Sequence, residues 1–217
     1  PRASRTVPIA GKLTGMPLVE MAVRASLGES LEEMGYSVGL QERKGPFGVK
    51  VPVFSTEKLP GVDALPGPAM QSTGKSLGVG GTVAEALYEG LRGAGWNVPA
   101  RGSILLSVAD RAKTESAHVA AAFYALGWKI DATAGTAVLL GNWGIPSGMV
   151  EKGHSLVSGI GSKKWDLIVN IASGNPEVLN DGYRMRRAAI EASIPCINNL
   201  SLASALAISV AIERGRR

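Results

Sequence analysis

Residues 103–142 read SILLSVADRAKTESAHVAAAFYALGWKIDATAGTAVLLGN, and this stretch decides the fold. Ser103–Val108 is a short apolar run and reads as a buried strand. Lys113–Leu126 is long enough for a helix and carries no breaker. Trp128–Ala132 reads as a second strand and Ala134–Asn142 as a second helix. The same rhythm continues to the end of the chain. Met149–Glu151, Asp166–Ile171 and Ile194–Ile197 read as strands. Ser155–Ser162, Asp181–Ala192 and Ser201–Ile212 read as helices. Strands that alternate with helices build a parallel sheet, because each return to a parallel neighbour needs a crossover. The expected fold class is therefore α/β, with a doubly wound five-stranded parallel sheet over residues 101–217. In such a sheet a ligand sits at the carboxyl ends of the strands.

Composition narrows the function classes. The chain has 217 residues, 45% of them apolar and 19% charged, which supports a packed core and excludes a disordered chain. One cysteine, Cys196, rules out an internal disulfide, and two histidines, His118 and His154, argue against a Cys/His zinc site. Aromatic residues are 5% against 28 glycines, so a stacking platform for single-stranded nucleic acid is not expected. The longest apolar run, near Ser204–Ile212, is too short for a bilayer, and no membrane partner is expected. No signal-peptide pattern opens the sequence, and the free cysteine suits a reducing interior, so the expected setting is the cytoplasm. The net charge is +5, and 13 basic against 9 acidic side chains after residue 100 supply most of it. That excess suits an anionic small molecule.

Toward the amino terminus the pattern is less regular. Gly15–Met34 looks helical, with Pro17 in a first turn, Gly28 as a stop, and a capping box at Ser30-Leu-Glu-Glu33 opening a second short helix. Val49, Val51 and Val53 alternate as in a half-buried strand, with Pro52 suited to an edge. Leu59–Thr73 reads as loop. Thr82-Val-Ala-Glu85 is a further capping box, opening a helix to about Arg92. The stretch 93–102 holds several glycines and a proline and marks the expected boundary between residues 1–95 and 101–217. The opening PRASRTVP has neither start nor cap signal, and the expectation is a fragment of a longer chain or a processed product.

Asp131-Ala-Thr133-Ala-Gly135-Thr136 falls where a strand ends and a helix begins. Two hydroxyls flank a glycine at a helix start, whose free N–H groups and positive dipole end suit a phosphate or carboxylate. Plain capping by the two threonines is the alternative. Lys113 and Lys152 each follow a strand on the same rim, where a phosphate would gain ion pairing and backbone donors. Asn170 ends the fourth strand and suits a base or sugar, or its own turn. Arg186 and Arg187 diverge by about 100° on their helix, so one of them can reach the sheet edge or an acid such as Asp181. Arg2 and Arg5 form a weak anion-holding pair. Thr73-Gly-Lys-Ser76 is rejected as a phosphate loop because position 69 is Ala where the motif needs Gly. Cys196 reads as core.

The segments PRASRTVP, GESLEEMG and LPGVDALPGPAMQSTGKSLGVGGTVAEAL resemble the carboxyl-terminal part of the large subunit of carbamoyl phosphate synthetase. ILLSVADRAK, GWKIDATAGTAVLL, WDLIVNIASG and RMRRAAIEASIPCINNLSLASAL are similar to the last domain of the same family, whose fold is like that of methylglyoxal synthase. The resemblance implies an ATP-dependent carbon–nitrogen ligase that makes carbamoyl phosphate from bicarbonate and ammonia. Its partner is a glutamine amidotransferase small subunit, and it serves pyrimidine and arginine biosynthesis. Residues 1–95 would be the end of the second, carbamate-phosphorylating ATP-grasp half, with Arg2 and Arg5 at catalytic positions. ATP and Mg or Mn serve the parent enzyme, with metal ligands upstream of Pro1, so this chain alone should not turn over. Residues 101–217 would be the regulatory domain, binding a phosphorylated effector such as uridine or inosine monophosphate. The effector contacts carry over to Ser107, Lys113, Thr133, Thr136, Lys152 and Asn170. Two lysines fit a nucleotide better than N-acetylglutamate. An ornithine-contacting Glu matches Glu33, but the family's Tyr and Thr fall on Cys196 and Asn198. Ala134 replaces a frequent His, Ile171-Ala172 replaces Thr-Thr, and Lys75 stands where Glu is usual.

Two other functions share the same rim. A stand-alone methylglyoxal synthase would act on dihydroxyacetone phosphate and needs a carboxylate base, for which Asp110 and Asp131 are the nearest by position. A non-catalytic oligomerisation module is the third reading, and an oligomer is expected.

Overall fold

The computed structural model describes residues 4, 6–37, 39, 45–58, 61, 63, 65, 71–172 and 176–216, with backbone alone for 57 and 176–180. Arg2 and Arg5 lie outside the described residues. Five strands form the main sheet: β3 (Ser103–Val108), β4 (Lys129–Thr133), β5 (Gly148–Val150), β6 (Leu167–Ile171) and β7 (Cys196–Ile197). Their spatial order is β5-β4-β3-β6-β7 and every pairing is parallel. The chain runs outward from β3 to β4 and β5, then crosses back to β6 on the other side of β3. That reversal is the crevice where doubly wound sheets take ligands.

Helices cover both faces, which is why β3 and β6 read as mostly apolar runs rather than alternating ones. Ile104 and Leu106 of β3 and Leu167 and Val169 of β6 face α4 (Lys113–Ala125), α5 (Ala134–Asn142) and α8 (Leu200–Gly215). Leu105 and Ile168 face the opposite way, toward α6 (His154–Gly161) and α7 (Pro176–Glu191). The expected α/β class and five-stranded doubly wound sheet are what the structure has, with element ends displaced by a few residues, as fraying helix and strand ends allow.

The amino-terminal part differs more from expectation. Two helices, α1 (Thr6–Thr14) and α2 (Leu18–Ser26), replace the single expected start at Gly15, which sits between them at φ +73°. Pro17 is the residue before α2 rather than part of its first turn. The box at Ser30 forms, with Ser30 N donating to Glu33 Oε2 at 2.7 Å and Glu33 N to Ser30 Oγ at 3.2 Å. It closes only a turn, because Gly35 at φ +83° ends it at once. β1 (Phe47–Val53) shows the expected alternation and pairs antiparallel with β2 (Gly74–Gly80). β2 was not expected. Gly74, Lys75 and Ser76 lie in it, so they form no phosphate loop.

α3 (Val83–Gly93) starts as expected, Thr82 Oγ1 accepting from Glu85 N at 3.2 Å. Glu85 returns to Gly81 N at 2.8 Å rather than to Thr82. α3 lies on the β1–β2 ribbon and also against α8. Val51, Leu91 and Val98 accordingly join the core between the main sheet and α4, α5 and α8.

Candidate functional site

Three polar side chains sit in one lateral row at the carboxyl ends of the central strands. Ser107 pairs in register with Asn170, and Leu106 with Ala132, so Thr133 follows on the next rung. Alternation from Leu105 and Ile168 turns Ser107 and Asn170 toward the α6 and α7 side. All three are buried, at 6%, 5% and 3% exposure for Ser107, Thr133 and Asn170. They open into a cavity of about 320 Å³, whose wall also includes Asp110, Lys152, Ile171, Gly182 and Met185. The cavity lies at the reversal of strand order.

The threonines divide the work. Thr133 precedes α5, but its hydroxyl caps nothing, so the first N–H groups of α5 keep no side-chain cap from it. The plain capping alternative therefore fails for Thr133. Thr136 lies behind the cavity wall, and its hydroxyl accepts from Val108 N at 3.4 Å, fastening α5 to the end of β3. Ser107 and Thr133 hydroxyls have no hydrogen-bond partner among the described residues. Both residues line the cavity, so these hydroxyls are placed to meet a ligand atom there.

Lys113 and Lys152 bring positive charge to the same rim. Lys113 Nζ lies over the start of α5: a Cβ added to Gly135 would meet it at 2.9 Å. Gly135 thus lets the lysine tip lie close to the backbone, and a larger residue there would have to push it aside. Lys113 pairs with Asp110 Oδ1 at 2.6 Å. That hydrogen bond, then the Lys113 charge, then the charge of Lys152, holds the Asp110 carboxyl below its usual range. Lys152 follows β5, is exposed, and makes no salt bridge among the described residues.

Asn170 is oriented from behind. Its Oδ1 accepts from Arg186 Nη1 at 2.7 Å, and its Nδ2 lies 3.7 Å from Met185 Sδ. Arg186 does reach the sheet edge, but its acid is Asp63, not Asp181: Nε meets Oδ1 and Nη2 meets Oδ2, each at 2.6 Å. Arg187 instead bonds Glu191 and the Thr56 carbonyl. Asp63, Gly182 and Met185 were not singled out in the sequence. Gly182 is one turn before Arg186 on α7, a spacing that places it beside the same rim.

The remaining candidates lie elsewhere. Glu33 is exposed in its turn, and the Ser30 N–H and hydroxyl hold its carboxyl below the usual range. Asp131 is buried, but it does not line the cavity: it accepts from Trp165 Nε1 at 2.9 Å and sits 3.4 Å from Lys164 Nζ. His118 packs edge-on to Trp143. Burial pushes the Cys196 thiol up to about 12, which leaves it protonated and poorly nucleophilic. Among the described residues no group of three or more His, Cys, Asp or Glu side chains converges as a metal site would need. Among them, too, no helix is long and apolar enough to cross a membrane.

The chain is similar to known proteins in two ways. A methylglyoxal synthase from Elizabethkingia anophelis NUHP1 is similar in structure with a TM-score of 0.41 and 16% identity, over 51% of this chain and 79% of that one. The family model described as MGS-like domain matches residues 115–198, a span that runs from α4 through β7 and carries Thr133, Thr136, Lys152 and Asn170.

Proposed function

We propose that the cavity between β3, β4 and β6 binds the phosphoryl group and sugar of a nucleoside monophosphate, with uridine or inosine monophosphate as the ligand. The observation that carries this reading is the row of buried Ser107, Thr133 and Asn170 in a cavity that Lys152 also lines, with Lys113 outside its wall, bonded to the lining residue Asp110 and lying over the start of α5. Hydroxyls, amide and ammonium groups there are donors, and the ligand must supply acceptors and negative charge. The match to an MGS-like domain supports the same reading. On the resemblance of its segments, the chain is the carboxyl-terminal part of a carbamoyl phosphate synthetase large subunit, and this domain is its effector switch. The setting is cytoplasmic, the assembly oligomeric, and the amidotransferase subunit is the partner of the parent enzyme. ATP and Mg or Mn belong to that parent.

Calorimetric titration of uridine monophosphate into the full chain tests the site. Binding is expected below millimolar ligand, and a folded protein with no heat at millimolar concentration would reject the reading. Lys152→Ala should weaken binding by roughly 1–3 kcal/mol, the range for a charged hydrogen bond. Lys113→Ala should cost at least as much, because it also leaves the Asp110 carboxylate in the cavity wall without its cation. Unchanged affinity in both variants would remove the lysines from the site. Production of methylglyoxal from dihydroxyacetone phosphate is not expected, and a colorimetric assay that found it would favour the synthase reading.

The pH dependence has a definite sign. Asp110 is held below the ordinary carboxylate range, so it stays ionised above pH 5 and does not titrate there. The ligand phosphate gains its second charge near pH 6. Affinity should therefore rise, roughly fivefold, between pH 5 and 7.5 as the dianion forms opposite the lysines. A flat profile from the same titration would mean that the site does not read that second charge.

A further inference from the structure

Arg186 is the most buried cation in contact with the cavity wall, at 1% exposure, and it does not itself line the cavity. It makes three short bonds with no geometric slack: two to Asp63 and one to Asn170. Asp63 lies 123 residues away in sequence, in the part of the chain before β2. Tyr183 and Arg187, on the same helix, bond the carbonyls of Gly61 and Thr56. α7 is therefore fastened to the 56–63 region at three points, and the middle one continues to the cavity.

The consequence for Asn170 is chemical. A side-chain amide can present either its oxygen or its nitrogen to a ligand. Here the guanidinium occupies the oxygen, which leaves Nδ2 as the donor end for the cavity: one of its two N–H groups donates to Met185 Sδ at 3.7 Å, and the other serves a ligand. Gly182 completes the arrangement. A Cβ there would come within 2.9 Å of Arg186 Nη1 and 3.4 Å of Asn170 Oδ1, so glycine leaves the space that this bond occupies.

We propose that Arg186, held by Asp63, is a positioning residue that fixes Asn170 as a hydrogen-bond donor, so that the site selects ligands with an acceptor on the sugar or base. This rests on the nucleotide reading above and adds to it. The phosphoryl group is held by Lys152, Lys113 and the α5 start, and Arg186 acts only on the other end of the ligand. It also means that the Asp63 region and the nucleoside end of the cavity are one bonded unit. By linkage, a ligand that engages Asn170 stabilises the Asp63 contact in return.

The test compares uridine monophosphate with inorganic phosphate, titrated calorimetrically into the full chain and into Arg186→Lys and Asp63→Asn. Lysine keeps the charge opposite Asp63 but lacks the guanidinium fork, so it cannot serve Asp63 and Asn170 together. Both variants should bind phosphate within twofold of the parent and bind the nucleotide about tenfold more weakly, the loss expected for one hydrogen bond of about 1.4 kcal/mol. A melting curve for each variant separates loss of fold from loss of contact, and Arg186→Lys alone decides if Asp63→Asn does not fold. Equal weakening of both ligands, or no change in either, would overturn the positioning role. Absence of binding in the parent chain would instead overturn the nucleotide reading, and the two failures cannot be confused.

Discussion

Gly78→Ala is expected to lower the midpoint of thermal unfolding by about 6–12 °C, from a destabilisation of about 3 kcal/mol. The reason is the way α3 lies on the β1–β2 ribbon. A Cβ on Gly78 would collide with the Ala86 carbonyl oxygen and the Gly90 amide, and would stand 2.8 Å from Gly90 Cα. These are backbone atoms of the facing helix, and no rotamer change can move them aside. Gly90 presses back just as closely, since a Cβ on it would stand 2.8 Å from Val51 Cγ2. Helix and ribbon thus meet backbone to backbone, and one added methyl must lift the helix as a whole. Lifting α3 also disturbs Leu91, which lies in the core shared with α8. Gly81→Ala is the control: its nearest neighbour is the flexible end of Glu85 at 3.4 Å, and its expected cost is under about 1 kcal/mol. Equal midpoints for the two variants would show that α3 is not seated on β2 in this way.

The same glycines explain why β2 escaped the sequence reading. Gly74, Gly78 and Gly80 depress strand propensity and break the alternation on which a strand is recognised. Their reason is tertiary, the approach of a helix that follows later in the chain, and nothing local signals it. β3 and β6 were legible for the opposite reason. They are buried on both faces and mostly apolar, so burial and sequence carry the same message there, while β4 is found by the rhythm of its neighbours. α1 contains Pro8 and Gly11 within nine residues, which weakens a helical signal that propensity alone must supply. The site was legible in proportion to its dependence on topology. Once the sheet is parallel, residues at or just past strand ends share a rim, which brings Thr133, Lys152 and Asn170 to one cavity, whereas Ser107 in the same cavity was expected from the family resemblance alone. Thr136, one turn into α5, is turned instead to the end of β3, a distinction of helical phase that spacing from the strand does not reveal. Asp63 was not legible at all. A lone aspartate in a Pro- and Gly-rich stretch carries no mark of the buried arginine it meets.

That meeting sets the second large effect. Asp63→Ala should destabilise the chain by about 3 kcal/mol, the lower end for breaking a buried ion pair, because Asp63 itself keeps 30% of its side chain exposed while Arg186 keeps 1%. The cost comes from the guanidinium left behind: a charge in a site built for a pair retains its desolvation penalty and loses the partner that offset it. If so, removing the charge as well should recover most of the loss. Asp63→Ala/Arg186→Met keeps a long flexible side chain in the space and is expected within about 1 kcal/mol of the parent by urea denaturation. The remainder has its own source, since Asn170 Oδ1 then loses the donor at 2.7 Å and stays buried without one. A double variant as unstable as Asp63→Ala would place the cost in the lost carboxylate and not in the orphaned charge. Stability and ligand selection then separate at this residue. The double variant should fold while losing about tenfold of its preference for the nucleotide over inorganic phosphate, because the methionine fills the volume of Arg186 but cannot hold the amide of Asn170.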